Sequence, residues 1–404
     1  MKLADRLAHI DPFYVMECAK AARVIAQSPA CDPAQGGEPM IYLNIGEPDS
    51  TAPAPVVAAA TAALQAGHTQ YTEALGLRPL RDRLSDWYRQ RWGLDVPAER
   101  ICITAGASAA LQLVCLALFG PGDEVLMPDP SYPCNRHFVA AAGARATLLP
   151  TSAATRFQPD ADTVTGHWGP ATRGVLLATP SNPTGTSIAP AELARIVEAV
   201  RARGGVSIVD EIYQGLSYDP AFEACALALG EDVVSVNSFS KYFGMTGWRL
   251  GWVVLPPALV EPIERLAQNL YICASTVAQQ AALACFEPES LAECERRRHD
   301  FRARRDLLLP RLAALGLPAP VVPDGAFYIW LDCSAHSDNA WDFAFELMQS
   351  AHVALTPGRD FGPAHAARHL RLSFATALPQ LEQTLQRLER VLAIRPRPGA
   401  RHGT

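Results

Sequence analysis

The sequence lacks any apolar run of the roughly 18 residues that a membrane-spanning helix needs. Its first residues, MKLADRLAHIDPF, also lack the apolar core of a secretory signal peptide. These two absences argue against an integral membrane protein and against a secreted one. We therefore expect a cytoplasmic protein with no membrane partner.

Charge and metal-binding patterns are equally sparse. Charged residues make up 19% of the 404 residues, and the formal net charge is −6. No block of like charge suggests a nucleic-acid-binding tail, so we expect neither DNA nor RNA as a partner. The ten cysteines form no Cys-x-x-Cys motif and no Cys/His set at zinc spacing. Several lie in apolar runs, where buried free thiols are the usual state, so no disulfide or metal site is expected.

The middle of the chain contains short apolar strands that alternate with helical stretches. Strands are predicted at 100–104, 123–129, 173–180, 206–213, 232–239 and 249–255, and helices at 105–120 and 190–205. This alternation predicts an α/β fold: a large domain with a mostly parallel sheet covered by helices on both faces. Ligands of such sheets bind beyond the carboxyl ends of the strands.

The C-terminal part of the chain has a different pattern. Long charged helices at 289–315 and 378–394 flank short strands at 326–331, 353–358 and 369–374. This α+β pattern predicts a smaller domain, built from the N- and C-terminal segments. The expected division is an N-terminal segment at 1–45 with a lid helix, a large domain at 46–289, a small domain at 290–395 and a disordered tail at 396–404.

Small and polar residues collect where the predicted strands end. They are Gly106, Ala107 and Ser108 at a helix start, Asn182 in a proline-rich turn, Asp210 and Tyr213 after one strand, and Ser238, Ser240 and Lys241 after another. Each alone is also typical of an ordinary turn, helix cap or surface position. Together they suit one ligand, a phosphorylated pyridine aldehyde. Its phosphate needs backbone amides, its ring nitrogen a carboxylate, its phenolic oxygen neutral donors, and its aldehyde a lysine.

Nine motifs in one order resemble the class I/II aminotransferases, which are fold-type I pyridoxal-phosphate enzymes. They are LNIGEPD at 43–49, YTEALGLRPLR at 71–81, TAGAS at 104–108, PDPSYP at 128–133, PSNPTG at 180–185, VDEIY at 209–213, SFSKYFGMTGWRLGW at 238–252, GAFY at 325–328 and RLSFA at 371–375. The resemblance runs from about residue 10 to residue 390, which is nearly the whole chain.

This resemblance implies pyridoxal 5′-phosphate as the cofactor. It implies that Lys241 forms the Schiff base and moves the catalytic proton, and that Asp210 keeps the pyridine nitrogen protonated. Residues implied to hold the ring are Tyr132, Asn182 and Tyr213, of which Tyr213 is also implied to be catalytic. Those implied to hold the phosphate are Gly106, Ala107, Ser108, Ser238 and Arg249.

The resemblance also implies substrate contacts and a partner subunit. Arg371 is expected to bind the substrate α-carboxylate, helped by Asn182 and the backbone at Gly46. Tyr14 lies in the N-terminal segment that is expected to close over the substrate. In this family the tyrosine that matches Tyr71 reaches the phosphate of the neighbouring subunit, so a homodimer with shared sites is expected.

The implied reaction is transamination between an L-amino acid and a 2-oxo acid such as 2-oxoglutarate or pyruvate. The same chemistry also serves a C–S β-lyase of this fold, and an aspartate-type aminotransferase is a further alternative. A non-enzymatic ligand-sensing regulator is the remote alternative. Such regulators carry an N-terminal DNA-binding domain, whereas the GEPD motif begins here at residue 46.

Two features bear on the substrate side chain. In the aspartate-using members most similar to this chain, a lysine shortly after the TxG turn recognises the distal carboxylate, but position 108 is serine here. The segment DPFYVMEC is apolar and aromatic at Phe13, Tyr14, Val15 and Met16, where those members carry small hydroxyl residues. Such a pocket favours neutral donors, aliphatic or aromatic, because an acid would be desolvated without a partner. The other interpretation is that these four residues only pack the lid segment and do not select the substrate.

Overall fold

The structure, a computed structural model, describes residues 2–393, and the tail predicted at 396–404 lies outside the described residues. Its α-helices are α1 Tyr14–Ala26, α2 Ala54–Gln65, α3 Arg78–Trp92, α4 Ala107–Leu118, α5 Pro133–Ala141, α6 Ala161–Gly166, α7 Pro190–Arg201, α8 Pro257–Leu270, α9 Thr276–Ala282, α10 Pro288–Ala314, α11 Ala340–Ser350 and α12 Leu378–Ala393. Its strands are β1 Ile41–Tyr42, β2 Ile101–Thr104, β3 Glu124–Asp129, β4 Arg145–Pro150, β5 Thr172–Ala178, β6 Val206–Asp210, β7 Val234–Ser238, β8 Gly251–Val254, β9 Tyr328–Asp332, β10 Val353–Ala354, β11 Thr356–Pro357 and β12 His369–Ser373.

Seven strands form the large sheet in the order β2-β8-β7-β6-β5-β3-β4. Neighbouring strands run parallel except at β8, which is antiparallel to both β2 and β7. Successive side chains of a strand point to opposite faces, so different helices cover the two sides. In β5, Leu176 packs in a core cluster with α4, α5 and α8, whereas Val175 and Leu177 pack with α6 and α7. The expected α/β fold with a mostly parallel, doubly covered sheet is confirmed.

The smaller part of the fold joins the two ends of the chain. Strands β11, β12 and β9 form an antiparallel sheet, and β1 pairs in parallel with β10, with Ile41 opposite Val353. Cys18 of α1 packs in one cluster with Met348 of α11. The N-terminal segment therefore packs on the C-terminal part of the chain. The bounds given above for the domains stay a prediction.

The strand that carries Asp210 is shorter than the sequence indicates. The prediction extended it to residue 213, but β6 ends at Asp210. The chain then turns, and Gln214 N donates to Glu211 O at 2.7 Å. This turn leaves Asp210 at the carboxyl edge of the sheet. The edge strand β4 was not identified from the sequence, because its residues are only half buried and show no long apolar run.

Three further features concern membranes, metals and thiols. No helix within residues 2–393 is long and apolar enough to span a bilayer. Over the same residues, no group of His, Cys, Asp and Glu side chains could hold a metal ion. The ten cysteines, all in that range, are free thiols, and most of them are buried.

Candidate active site

A cavity of about 350 Å³ lies at the carboxyl ends of β5, β6 and β7. Ala178, Asp210 and Ser238, the last residues of these strands, all line it. The residues predicted for the site that line the cavity are Gly46, Ala107, Ser108, Tyr132, Asn182, Asp210, Tyr213, Ser238, Lys241, Arg249 and Arg371. Motifs far apart in sequence meet here because neighbouring parallel strands end at the same edge of the sheet.

Lys241 lies just after β7, and its Nζ donates a hydrogen bond to the carbonyl oxygen of Gly46 at 2.8 Å. Burial, together with the positive charges of Arg371 and Arg249, lowers the pKa of Lys241 from 10.5 to about 8. A substantial fraction of this amine is therefore neutral near physiological pH. A neutral amine is the form that attacks a carbonyl carbon or accepts a proton.

Asp210 and Glu211 are adjacent buried carboxylates in different surroundings. Burial raises the pKa of each to about 7. Glu211 is held by the protein, because it accepts hydrogen bonds from Ser235 Oγ at 2.5 Å and from Ala226 N at 2.8 Å. Asp210 instead lines the cavity, and its Oδ1 accepts one hydrogen bond from Ile212 N at 3.2 Å. A cationic group bound beside Asp210 would stabilise its charged form.

Tyr213 lies beside Lys241, and Asn182 lies beside Arg371. The hydroxyl of Tyr213 is 2.8 Å from that of Tyr328, and the two share a hydrogen bond. A Cβ on Gly46 would lie 2.0 Å from the Tyr328 hydroxyl, so the tyrosine pair requires glycine at that position. Tyr328 lines the cavity, and sequence reasoning gave it no role although it ends the GAFY motif.

Arg371 is buried, and within the described residues its guanidinium donates to amide, carbonyl and hydroxyl oxygens but forms no ion pair with a carboxylate. Its Nη1 donates to Asn182 Oδ1 at 2.9 Å, and its Nη2 donates to Asn44 O at 2.6 Å. Its Nε is buried without a hydrogen-bond partner in the described part of the chain. Burial of an unpaired charge is costly, so this guanidinium is suited to bind an anion that enters the cavity.

A second anion-binding feature lies at the start of α4. Ala107 and Ser108 begin the helix, where amide groups are free and the helix dipole favours negative charge. Gly106 precedes them with φ +83°, and a Cβ there would lie 2.5 Å from Arg249 Nη2. Gly106 therefore allows the close approach of Arg249, although it does not itself line the cavity. Ser238 lines the cavity beside them.

The model of the family described as aminotransferase class I and II matches residues 38–388. The chain belongs to this family. It is 38% identical over 390 residues to a valine–pyruvate aminotransferase of Mycobacterium tuberculosis, over 96% of this chain and 98% of that protein. It is 35% identical to an arginine–pyruvate transaminase of Pseudomonas aeruginosa, over 87% of this chain and 90% of that protein. The crystal structure of an aminotransferase from Mycobacterium tuberculosis matches with a TM-score of 0.92 at 37% identity, covering 97% of this chain and 99% of that one.

This aminotransferase is therefore a transferase that exchanges an amino group between an amino acid and a 2-oxo acid. The predicted family and reaction are confirmed. The alternatives of a C–S lyase and of a ligand-sensing regulator are not favoured, because the relatives that cover nearly the whole chain are transaminases by name.

One wall of the aminotransferase cavity is formed by α1 and the residue before it. We call Phe13, Val15, Met16 and Ala19 the apolar wall, since all four line the cavity. Tyr132 also lines the cavity, and its ring meets the ring of Phe13 edge to face at 6.1 Å. We call Asp210, Ser238, Lys241 and Arg249, which are polar and also line the cavity, the floor.

Besides Gly106, two further predicted residues do not line the cavity. Tyr14 points away from it, because its ring packs on Trp341 at 5.8 Å and its hydroxyl is 3.5 Å from Arg359 Nη2. Its neighbours Phe13 and Val15 line the cavity, and the predicted role of Tyr14 as a substrate contact stays a prediction. Tyr71 is 79% exposed and does not line the cavity of its own chain, so its expected role in a partner's site stays a prediction.

Proposed function

We propose that the protein is a pyridoxal 5′-phosphate-dependent aminotransferase that prefers neutral amino donors, with Lys241 and Asp210 as catalytic residues. One observation carries the proposal: a lysine of lowered pKa, a buried carboxylate, an anion-binding helix start and an unpaired buried guanidinium all meet in one cavity. The charge pattern fits the cofactor. Asp210 suits its ring nitrogen, while Ala107, Ser108, Ser238 and Arg249 suit its phosphate.

When bound, pyridoxal phosphate supplies a carbonyl carbon that takes up an amino group and a ring that withdraws electrons from the substrate. Lys241 Nζ is suited to take the proton from the substrate Cα, since its pKa of about 8 lies near the working pH. Arg371 would orient the substrate through its α-carboxylate, with Asn182 fixing the guanidinium at 2.9 Å. Asp210, which lines the cavity, would hold the negative charge that suits the ring nitrogen of the cofactor.

The apolar wall supports neutral donors. Phe13, Val15 and Met16 offer no hydrogen bond or charge from their side chains, and Ser108 supplies no cation at the start of α4. A donor carboxylate placed against these groups would lose its hydration without an ionic partner. The relative named for valine, a neutral amino acid, acts with pyruvate by name.

The acceptor side of the proposal depends on Arg23, which sequence reasoning did not select. Arg23 lines the cavity and lies on the face of α1 that also presents Met16 and Ala19. No hydrogen bond or ion pair engages it within residues 2–393. We propose that it binds the distal carboxylate of 2-oxoglutarate, so that this acid is accepted beside pyruvate.

A homodimer with shared sites is part of the proposal. Tyr71, Leu270 and Ile272 are exposed apolar or aromatic side chains. They belong to neighbouring segments, because Thr276 Oγ1 donates to Gln70 O at 2.6 Å. Such a patch supports burial against a second copy of the chain. Light scattering of the purified protein tests this step, and a monomer at assay concentration would contradict it.

The function is tested through Lys241. The purified enzyme should be yellow with bound pyridoxal phosphate, lose that absorbance band with borohydride, and transfer amino groups from neutral amino acids to pyruvate or 2-oxoglutarate. Lys241→Ala should abolish turnover yet retain much of the cofactor binding, because the floor still holds Asp210 and Arg249. Mapping of the reduced cofactor to another lysine would refute the assignment, and pyruvate release from cystathionine as the main activity would favour a lyase.

A further inference from the structure

Asp360 is a fully buried residue in the short turn Gly358–Asp360 that follows β11. Its Oδ1 accepts a hydrogen bond from Tyr14 N at 3.1 Å, and its Oδ2 accepts one from Val15 N at 3.0 Å. These amides open α1, where backbone donors have no partner inside the helix. No side chain of the preceding residue caps this helix, because Phe13 stands at the cap position. Asp360 therefore supplies from a distant part of the chain the anion that a helix start favours.

The segment that carries Asp360 also contacts Arg371. Thr356 lies opposite Arg371 in the pairing of β11 with β12, and its Oγ1 accepts from Arg371 Nη2 at 3.3 Å. The ring of Phe361 lies 5.0 Å from the Arg371 guanidinium. Between these two contacts, Asp360 holds the start of α1. One continuous segment therefore connects the guanidinium suited to the substrate carboxylate with the helix that forms the apolar wall.

We propose that Asp360 is a positioning residue whose carboxylate fixes the start of α1 and thereby sets where the apolar wall stands against the substrate. This inference rests on the proposed function, in which the apolar wall contacts the donor side chain. Asp360 does not line the cavity, so its effect passes through Tyr14 N and Val15 N to Phe13 and Met16.

The groups that face Asp360 come from three elements. They are Cys18 on α1, Cys134 and Arg136 on α5, and Arg371 on β12. Burial raises the pKa of Asp360, and Arg371 and Arg136 oppose that rise. Because the pKa lies above its usual value, the carboxylate loses its charge earlier as the pH falls. The interaction of the Asp360 carboxylate with the start of α1 should therefore be complete above the pKa of Asp360 and should weaken as the pH falls below it.

The test compares Asp360→Asn, which keeps the shape but removes the charge and one acceptor, with Asp360→Ala. The Asn variant should raise KM for a neutral amino donor about five- to thirtyfold while kcat changes less, as expected for the loss of a charged helix cap. Hydrogen exchange of the peptide at 13–19 should speed up, and the Ala variant should show both effects more strongly. Asp160→Asn is the matched control, since Asp160 caps α6 through Thr163 N at 2.7 Å and does not line the cavity.

A pH series separates this role from simple packing. The KM of the wild-type enzyme should rise more steeply toward acid pH than the KM of Asp360→Asn, because the variant lacks the titration of Asp360 but keeps that of Asp210 and Lys241. An Asn variant whose KM and α1 exchange stay within about twofold of wild type would overturn the inference, and so would an unchanged acid rise. Hydrogen exchange needs no turnover, so a protein without transaminase activity would refute the proposed function while the role of Asp360 is still measured.

Discussion

Two residues of the floor lie at the ends of strands, whereas the apolar wall lies on a helix of the N-terminal segment and the residue before it. Asp210 and Ser238 end β6 and β7, so the hydrogen bonds of the large sheet fix their backbone. The residues of the wall belong to no strand. Their helix is fixed at its start by a buried carboxylate from a residue 345 positions along the chain from Val15. The floor is therefore suited to chemistry that must be held rigidly, and the wall to contacts that vary with the substrate.

The two carboxylates after β6 give the sharpest test of the floor. Asp210→Ala should lower kcat by roughly a thousandfold or more, about 4 kcal/mol in barrier, because the cavity loses the charge that balances a cationic ring. Glu211→Gln should instead lower the midpoint of thermal unfolding, since Glu211 bonds to Ser235 and Ala226 and not to the cavity. Steady-state rates and calorimetry on both variants provide the measurement. Retention of more than about a tenth of the activity in Asp210→Ala would show that Asp210 has no catalytic role.

The same contrast explains which parts of the molecule could be predicted from the sequence. The floor residues follow apolar runs at fixed positions, so the alternation of strands and helices was enough to expect them at one edge of the sheet. The wall depends on which residues of a helix face inward, and that phase is set by distant packing. Because the sequence does not show that phase, it indicated Tyr14 as a substrate contact, although Tyr14 packs on Trp341. It did not indicate Arg23, which lines the cavity.

Asp360 and Tyr328 show a second limit. The contact of Asp360 with Tyr14 joins residues 346 positions apart, and no local pattern in the sequence marks it. Tyr328 stood inside a motif, but its hydrogen bond to Tyr213 depends on how β9 lies against the turn after β6. Long-range contacts of this kind depend on the packing of the whole core, and they cannot be predicted from local patterns in a single sequence.

The wall is tested next by the choice of donor. Neutral aliphatic or aromatic amino acids should exceed aspartate in kcat/KM by roughly 30- to 1000-fold, because the missing charge contact is worth about 2–4 kcal/mol. The aspartate carboxylate would meet Phe13, Val15 or Met16 and find no cation at Ser108. Steady-state kinetics with the amino acids against pyruvate give the ratio. Aspartate as the best donor would contradict the apolar wall as a specificity element.

The smallest effect is expected at the far end of the wall, where Arg23 stands. Arg23 follows Met16 by seven residues, which is about 10 Å along a helix axis, and helical side chains lean back toward the N-terminus. Its guanidinium therefore suits the distal carboxylate of a longer acid such as 2-oxoglutarate better than that of aspartate. Arg23→Gln should lower kcat/KM for 2-oxoglutarate about tenfold, as expected for a partly exposed ion pair, and leave pyruvate unchanged.

The matched control for Arg23→Gln is Arg83→Gln on α3, an exposed arginine that does not line the cavity. That variant should keep the wild-type ratio of 2-oxoglutarate to pyruvate, because both proteins then differ from wild type by the same loss of one surface charge. If the ratio of 2-oxoglutarate to pyruvate fell equally in both variants, Arg23 would act only through the overall electrostatic field of the protein. A ratio that stays constant in Arg23→Gln would remove the acceptor side from the proposal. The apolar wall would then discriminate by shape alone, and pyruvate would be expected as the better acceptor.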